Sequence, residues 1–119
     1  MFIPFQVTDW SQYPETVHAG ESGEAKWKTL SFGDLRIRQV EYSANYKADH
    51  WCSKGHIIYC IEGEFTTELS DGRTFTLTPG MTYQVSDDLS FHRSTTKTGV
   101  KLLIIDGGFL GRKREFGFN

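Results

Sequence analysis

Apolar and polar residues alternate with a period of two along much of this chain, the pattern of strands that bury one face. Between residues 35 and 42, Leu35 and Ile37 face one way while Arg36 and Arg38 face the other. Residues 101–105 are instead almost continuously apolar, which indicates a strongly buried strand. The pattern predicts extended segments at 27–30, 35–42, 46–51, 56–61, 65–69, 74–77, 82–85, 90–94 and 100–106.

Turn residues separate these segments at intervals of roughly 8 to 12 residues. Asp71-Gly72 lies between two alternating runs and predicts a β-hairpin, and Pro79-Gly80 predicts another turn. No stretch has a convincing helical period. Eight or nine short strands with this spacing predict a single all-β domain, either a sandwich or a barrel.

Residues 1–26 differ from the rest, because prolines and glycines interrupt them and only one short strand or turn is expected there. We interpret residues 1–26 as an arm that packs on the barrel of residues 27–119 or on a second subunit. An aromatic tail at 109–118 offers further apolar surface, and the two together predict a homodimer. The apolar residues of the arm are Phe2, Ile3, Phe5, Val7 and Trp10.

Length and charge narrow the functional classes. With 119 residues the chain forms one domain, and its net charge of -2 lacks the basic excess of a nucleic-acid-binding protein. No apolar window reaches the roughly 18 residues of a membrane span, and the N-terminus lacks the positive start of a signal peptide. We therefore expect no nucleic-acid or membrane partner and a cytoplasmic location, where Cys52 and Cys60 would remain thiols.

Three candidate metal ligands fall close together at His50, Cys52 and His56. Residues two apart in a strand point to the same side, so His50 and Cys52 converge, and residues 53–55 can turn the chain so that His56 opens the next strand nearby. His92 lies in a later strand and can meet them from across the fold. Imidazole and thiolate groups both suit a divalent transition metal.

These residues resemble the motifs of the cupin superfamily. Its first motif has the form G-x5-H-x-H-x3,4-E-x6-G, and here His50, Cys52, His56 and Gly63 match its spacing from the first histidine onward. Its second motif has glycine, proline and histidine positions, which Gly72, Pro79-Gly80 and His92 resemble with altered spacing. The resemblance covers about residues 35–106 and implies a jelly-roll barrel, the double-stranded β-helix of cupins, with one metal inside.

Residues 49–52, Asp-His-Trp-Cys, are similar to a subgroup of small single-domain cupins with a "DHCW motif". Cys52 stands where cupins usually carry histidine, and His56 where they usually carry glutamate. The implied ligand set is therefore His50, Cys52, His56 and His92, whose softer donors favour zinc or iron over nickel or manganese. Thr96 replaces the asparagine that ends the second motif, which argues against the better-known cupin activities.

Several alternatives stay open at this stage. Cys52 either ligates the metal or packs as a small apolar side chain. Tyr46, Trp51 and Tyr83 are candidates for a substrate pocket, and Arg36 and Arg38 either meet an anionic substrate or pair with acidic residues outside the barrel. The protein is a metal-dependent enzyme on a small organic substrate, a non-catalytic binding or metal- and redox-sensing module, or a structural β-protein without a metal.

Overall fold

Ten strands make up most of the computed structural model, which describes residues 2–111. Two single 3-10 turns, Trp10–Gln12 and Gly108–Gly111, are the helical segments within these residues. The strands are β1 (Thr16–Ala19), β2 (Glu24–Phe32), β3 (Leu35–Tyr42), β4 (Tyr46–Lys47), β5 (His56–Gly63), β6 (Phe65–Leu69), β7 (Thr74–Leu77), β8 (Thr82–Val85), β9 (His92–Thr96) and β10 (Val100–Asp106).

The strands form two antiparallel sheets. One has the order β1-β2-β3-β10-β5-β8 and the other the order β4-β9-β6-β7. The chain passes from one sheet to the other between β3 and β4 and again at β4–β5, β5–β6, β7–β8, β8–β9 and β9–β10. This repeated change of sheet is the jelly-roll arrangement, so the prediction of an all-β cupin-type fold is confirmed.

The turn predicted at Asp71-Gly72 joins β6 to β7 as a hairpin. Gly72 has a φ of 97°, a left-handed conformation that glycine adopts without the steric cost of a Cβ. The strands at 35–42, 65–69, 74–77, 82–85 and 100–106 also begin and end where the sequence pattern places them.

Four segments differ from the prediction. β5 extends to Gly63, two residues beyond its predicted end, and β9 at His92–Thr96 lies two residues later than the predicted segment at 90–94. β2 begins at Glu24, within the predicted arm, because β1 and the start of β2 pair from Thr16–Trp27 to Ala19–Glu24. β4 ends at Lys47, since beyond it the chain leaves the regular pairing with β9. The tail residues Phe116 and Phe118 lie outside the described residues, so their packing stays a prediction.

The apolar core lies at one end of the space between the sheets. Phe65, Ile58 and Leu102 are at most 2% exposed, and Cys60 is fully buried among them as a packing residue. Both cysteines are free thiols, as expected. No helix within residues 2–111 has the length and apolar character that crossing a membrane requires.

The other end of the interior is polar. On β3 the inward face changes from Arg36 and Arg38 to Val40, so one strand lines first a polar and then an apolar region. Arg38, His92 and Asp106 are each no more than 4% exposed. Because charged groups are buried only where other groups satisfy them, this end is the place to look for a functional site.

Candidate metal centre

Three of the four predicted metal ligands meet at the polar end of the interior. One donor atom from each of Cys52, His56 and His92 lies within 4.8 Å of the others. Cys52 and His56 are half-buried, and His92 is buried. The structure therefore brings together donors that lie 40 residues apart in the sequence.

Backbone pairing places Cys52 beside His92. The Cys52 N–H donates to His92 O at 2.8 Å, and the His92 N–H donates to Cys52 O at 3.0 Å. Directly opposed antiparallel residues that exchange both hydrogen bonds project their side chains on the same face. This isolated bridge between Cys52 and the first residue of β9 is why Cys52 and His92 meet.

His56 opens β5, as predicted, and the residue before it packs closely against the backbone of residues 85–87. A Cβ on Gly55 would stand 2.4 Å from the carbonyl oxygen of Val85, so this position requires glycine. His56 Nε2 then lies 3.9 Å from Cys52 Sγ. Nitrogen and sulfur ligands of a tetrahedral zinc ion stand about 3.6 Å apart, given Zn–N and Zn–S bonds of roughly 2.0 and 2.3 Å.

Asp106 holds the other side of the His56 ring, a role that the sequence analysis missed. His56 Nδ1 donates to Asp106 Oδ2 at 2.8 Å, so Nε2 is the ring nitrogen turned toward Cys52. The same carboxylate accepts from Arg38 Nη2 at 2.7 Å and from Arg36 Nε at 2.8 Å. Inward-facing Leu102 and Ile104 precede Asp106 at spacings of two, and that parity is the signal that could have placed its carboxylate inside.

Arg36 and Arg38 both pair with an acidic residue, but not with one outside the barrel as one of the two alternatives held. Their common acid is inside the fold on β10, rather than on the outer surface. Burial alone would raise the pKa of Asp106. Hydrogen bonds from His56 and Arg36 and the charge of Arg38 outweigh it and hold that pKa well below its usual value. Asp106 is therefore a carboxylate throughout the ordinary pH range.

Cys52 has the protonation state that metal binding requires. The neighbouring His56 ring and then the His92 ring lower the pKa of its thiol to about 5. Burial alone would lower the pKa of His56, but the hydrogen bonds to Asp106 and Cys52 raise it overall. Cys52 is therefore a thiolate at neutral pH in the metal-free protein, as a metal-ligating cysteine must be.

His92 provides a further test of the fit to a metal. Its Nδ1 lies 3.1 Å from Ser90 Oγ, and its buried Nε2 has no hydrogen bond of normal geometry with residues 2–111. A buried polar atom in this state is costly unless a ligand satisfies it. The donor set and the available nitrogen on His92 fit a divalent metal ion.

His50 is not part of the cluster of three. Its side chain is 73% exposed, and its Nδ1 lies 2.6 Å from Asp49 Oδ1. The ring nevertheless lines the same cavity as Cys52, His56 and His92. Ligation by His50 would require its side chain to turn inward and stays a prediction.

A cavity of about 200 Å³ opens beside the cluster. Tyr46 and Tyr83 line it, as the predicted substrate pocket requires, and burial raises the pKa of Tyr83 well above its usual value. Trp51 is not among the lining residues: it is 38% exposed and lies under the Arg93 guanidinium at 4.5 Å. The structure thus places two of the three predicted pocket residues at the cavity.

No protein-family model matches this sequence, and no curated protein matches it. Solved structures do resemble it. The polyketide cyclase RemF from Streptomyces resistomycificus superimposes with a TM-score of 0.74 at 19% identity, covering 87% of this chain and 80% of that one. An RmlC-like cupin from Shewanella frigidimarina has a TM-score of 0.69 at 21% identity, covering 87% and 91%.

A third similar structure is Fe(II)-bound HppE, with a TM-score of 0.67 at 12% identity. The match covers 86% of this chain but only 60% of that protein. Identities this low show a shared fold and do not carry over an activity, and membership in the Asp-His-Trp-Cys subgroup stays a prediction. What the sequence motif, the strand order and these neighbours jointly establish is that this chain has the cupin fold.

Proposed function

We propose that this protein binds one divalent metal ion, zinc or iron, through Cys52, His56 and His92 and acts as a metal-dependent enzyme on a small organic molecule. The observation that carries the proposal is the convergence of these three donors within 4.8 Å at the edge of a cavity. Three protein ligands leave a coordination position open, as in catalytic rather than structural sites.

Each residue of the cluster has a defined task in this proposal. Cys52 supplies a thiolate, His92 supplies its otherwise unbonded Nε2, and Asp106 fixes the His56 ring so that Nε2 faces the ion. The metal would act as a Lewis acid toward a substrate oxygen. Tyr83 stays protonated in the cavity wall, where its high pKa makes it a hydrogen-bond donor.

The fold neighbours support this class of function without fixing the reaction. RemF is a polyketide cyclase, and HppE is described with bound Fe(II). The thiolate in our donor set favours zinc or iron over the harder manganese ion.

The first experiment is elemental analysis of the protein purified from metal-replete medium. We expect about one metal ion per chain in the wild type and a strong loss in Cys52→Ser and in His92→Ala. His18→Ala is the matched control, because His18 stacks on Trp27 at 3.8 Å, outside the cluster. Fewer than about 0.1 ions per chain in the wild type would remove the proposed site.

The position of His50 supports a second candidate, a non-catalytic metal or redox sensor. If the exposed His50 ring turns inward, four ligands close a tetrahedral zinc shell and leave no open position. X-ray absorption of the zinc protein separates the two, since the enzyme requires a light-atom ligand that exchanges with solvent. A shell of three nitrogens and one sulfur that loses one nitrogen in His50→Ala would favour the sensor.

A further inference from the structure

The cavity beside the metal cluster is lined by cations. Arg36, Arg38, Lys54 and Arg93 contribute to its wall, and no aspartate or glutamate does so among the described residues. This is unusual for a chain whose net charge is -2. A concave site lined by one sign of charge attracts ligands of the opposite sign.

Three of these cations pair with carboxylates that lie outside the cavity lining. Asp106 is shared by both β3 arginines, and Arg93 Nη2 pairs with Glu68 at 3.1 Å. Lys54 differs, because its ammonium group forms no ion pair or hydrogen bond with residues 2–111. Lys54 lines the cavity together with the metal donors Cys52 and His56.

Arg36 and Lys54 together form one positively charged side of the cavity. Arg36 Nε and Nη2 donate to Asp106, whereas Nη1 makes no hydrogen bond with the described residues, and the side chain is 40% exposed. Arg36 and Lys54 also line an adjoining depression that contains Asp87. Asp87 is already engaged there, since Oδ1 accepts the Gly55 N–H.

Of the four cations at this cavity, Lys54 has no carboxylate partner among the described residues, which suits a ligand that carries a single negative charge. Asp49 is outside the lining and bonds the His50 ring. The volume of about 200 Å³ is below the roughly 300–1,000 Å³ of drug-sized sites, so the ligand is small. The stacked Tyr42 and Tyr46 rings and Trp27 give the remaining wall an aromatic character.

We propose that the substrate is a small organic carboxylate whose carboxylate group is bound by Lys54 and Arg36 and whose body lies against the aromatic wall beside the metal cluster. This inference rests on the proposed function for the role of the metal. Lys54 and Arg36 line the cavity in the structure without a metal ion, so carboxylate binding can be tested in the metal-free protein.

The test uses benzoate and benzamide, which match in shape and differ in charge, in calorimetric titrations of the metal-free and zinc-loaded full-length protein. We expect benzoate to bind more tightly than benzamide to both forms. Because Lys54 has no partner to lose, Lys54→Met should leave folding unchanged and weaken benzoate by at least about tenfold, the worth of one charge-assisted hydrogen bond. Lys101→Met is the control, since Lys101 lies on β10 outside this cavity.

The outcomes separate the two proposals. A benzoate preference that Lys54→Met abolishes in the metal-free protein supports the inference even if elemental analysis finds no metal. Equal binding of benzoate and benzamide, or an unchanged benzoate affinity in Lys54→Met, overturns it. Tighter binding of inorganic phosphate than of benzoate, lost in the same variant, would also overturn the assignment to carboxylates.

Discussion

The strongest test of the buried network is replacement of the Asp106 carboxylate, which joins Arg36, Arg38 and His56. Asp106→Asn keeps the shape of the side chain and removes its charge. The side chains of Asp106 and Arg38 are 4% and 5% exposed, so Arg38 would be left as a buried charge without a counterion. Breaking a buried ion pair on one side costs about 3–5 kcal/mol.

We expect the lower part of that range, about 3 kcal/mol, because Arg36 is 40% exposed and water can solvate it after the change. Urea unfolding of the metal-free protein measures this free energy directly. Glu68→Gln is the control, because it breaks the more exposed Arg93–Glu68 pair and should cost no more than about 1 kcal/mol.

The same substitution has a characteristic pH dependence. The folded-state pKa of Asp106 lies below its unfolded value, so its stabilisation is complete above the unfolded pKa of about 3.9 and is lost as the pH falls further. The difference in unfolding free energy between wild type and Asp106→Asn should therefore shrink below about pH 4. It should also shrink as the pH rises above about 6.5, because Asp106 helps to raise the pKa of His56 and that contribution is lost when the imidazole gives up its proton.

Metal affinity provides an independent readout, since loss of the carboxylate behind a ligating histidine typically weakens metal binding by about 10–100-fold. An Asp106→Asn protein within about 1 kcal/mol of the wild type, with a difference that does not vary with pH, would refute the reasoning. The buried arginine would then have to be solvated in some other way.

Three further predictions follow from single contacts. In the metal-free protein, the rate at which iodoacetamide alkylates Cys52 should rise with a pH midpoint near 5. Cys60 should stay unmodified, because it is fully buried and its pKa is raised. Mass spectrometry of the peptides measures both. Gly55→Ala should destabilise the fold by at least about 1 kcal/mol, because the new methyl group meets a β8 carbonyl at 2.4 Å; unchanged urea midpoints would contradict it. Phe2 and Phe5 are 80% and 96% exposed, so we expect the arm to be covered in a homodimer; light scattering should give twice 13.6 kDa for the wild type and a shift toward 13.6 kDa for Phe5→Ser.

Local sequence patterns were sufficient to predict most of the strands. The alternation at 35–42 and the Asp-Gly turn at 71–72 are properties of neighbouring residues, and the structure retains both. The metal motif worked for the same reason where it depended on local geometry, since Gly55 and the opening of β5 at His56 involve adjacent residues. His50 also fits the motif spacing, but β4, the strand that was predicted to contain it, ends at Lys47. The His50 side chain bonds to Asp49 instead of facing the cluster.

What the sequence alone determined is thus the strand pattern, the fold class and the identity of the candidate donor residues, because hydrophobic periodicity and turn chemistry act over a few neighbouring residues. Only the tertiary structure decided which donors meet and which residues contact them from the other side. Asp106 reaches His56 across 50 positions, and Lys54 is distinguished only by the absence of a partner in the described part of the fold. Such facts depend on the register between distant strands and on burial, which no local pattern encodes.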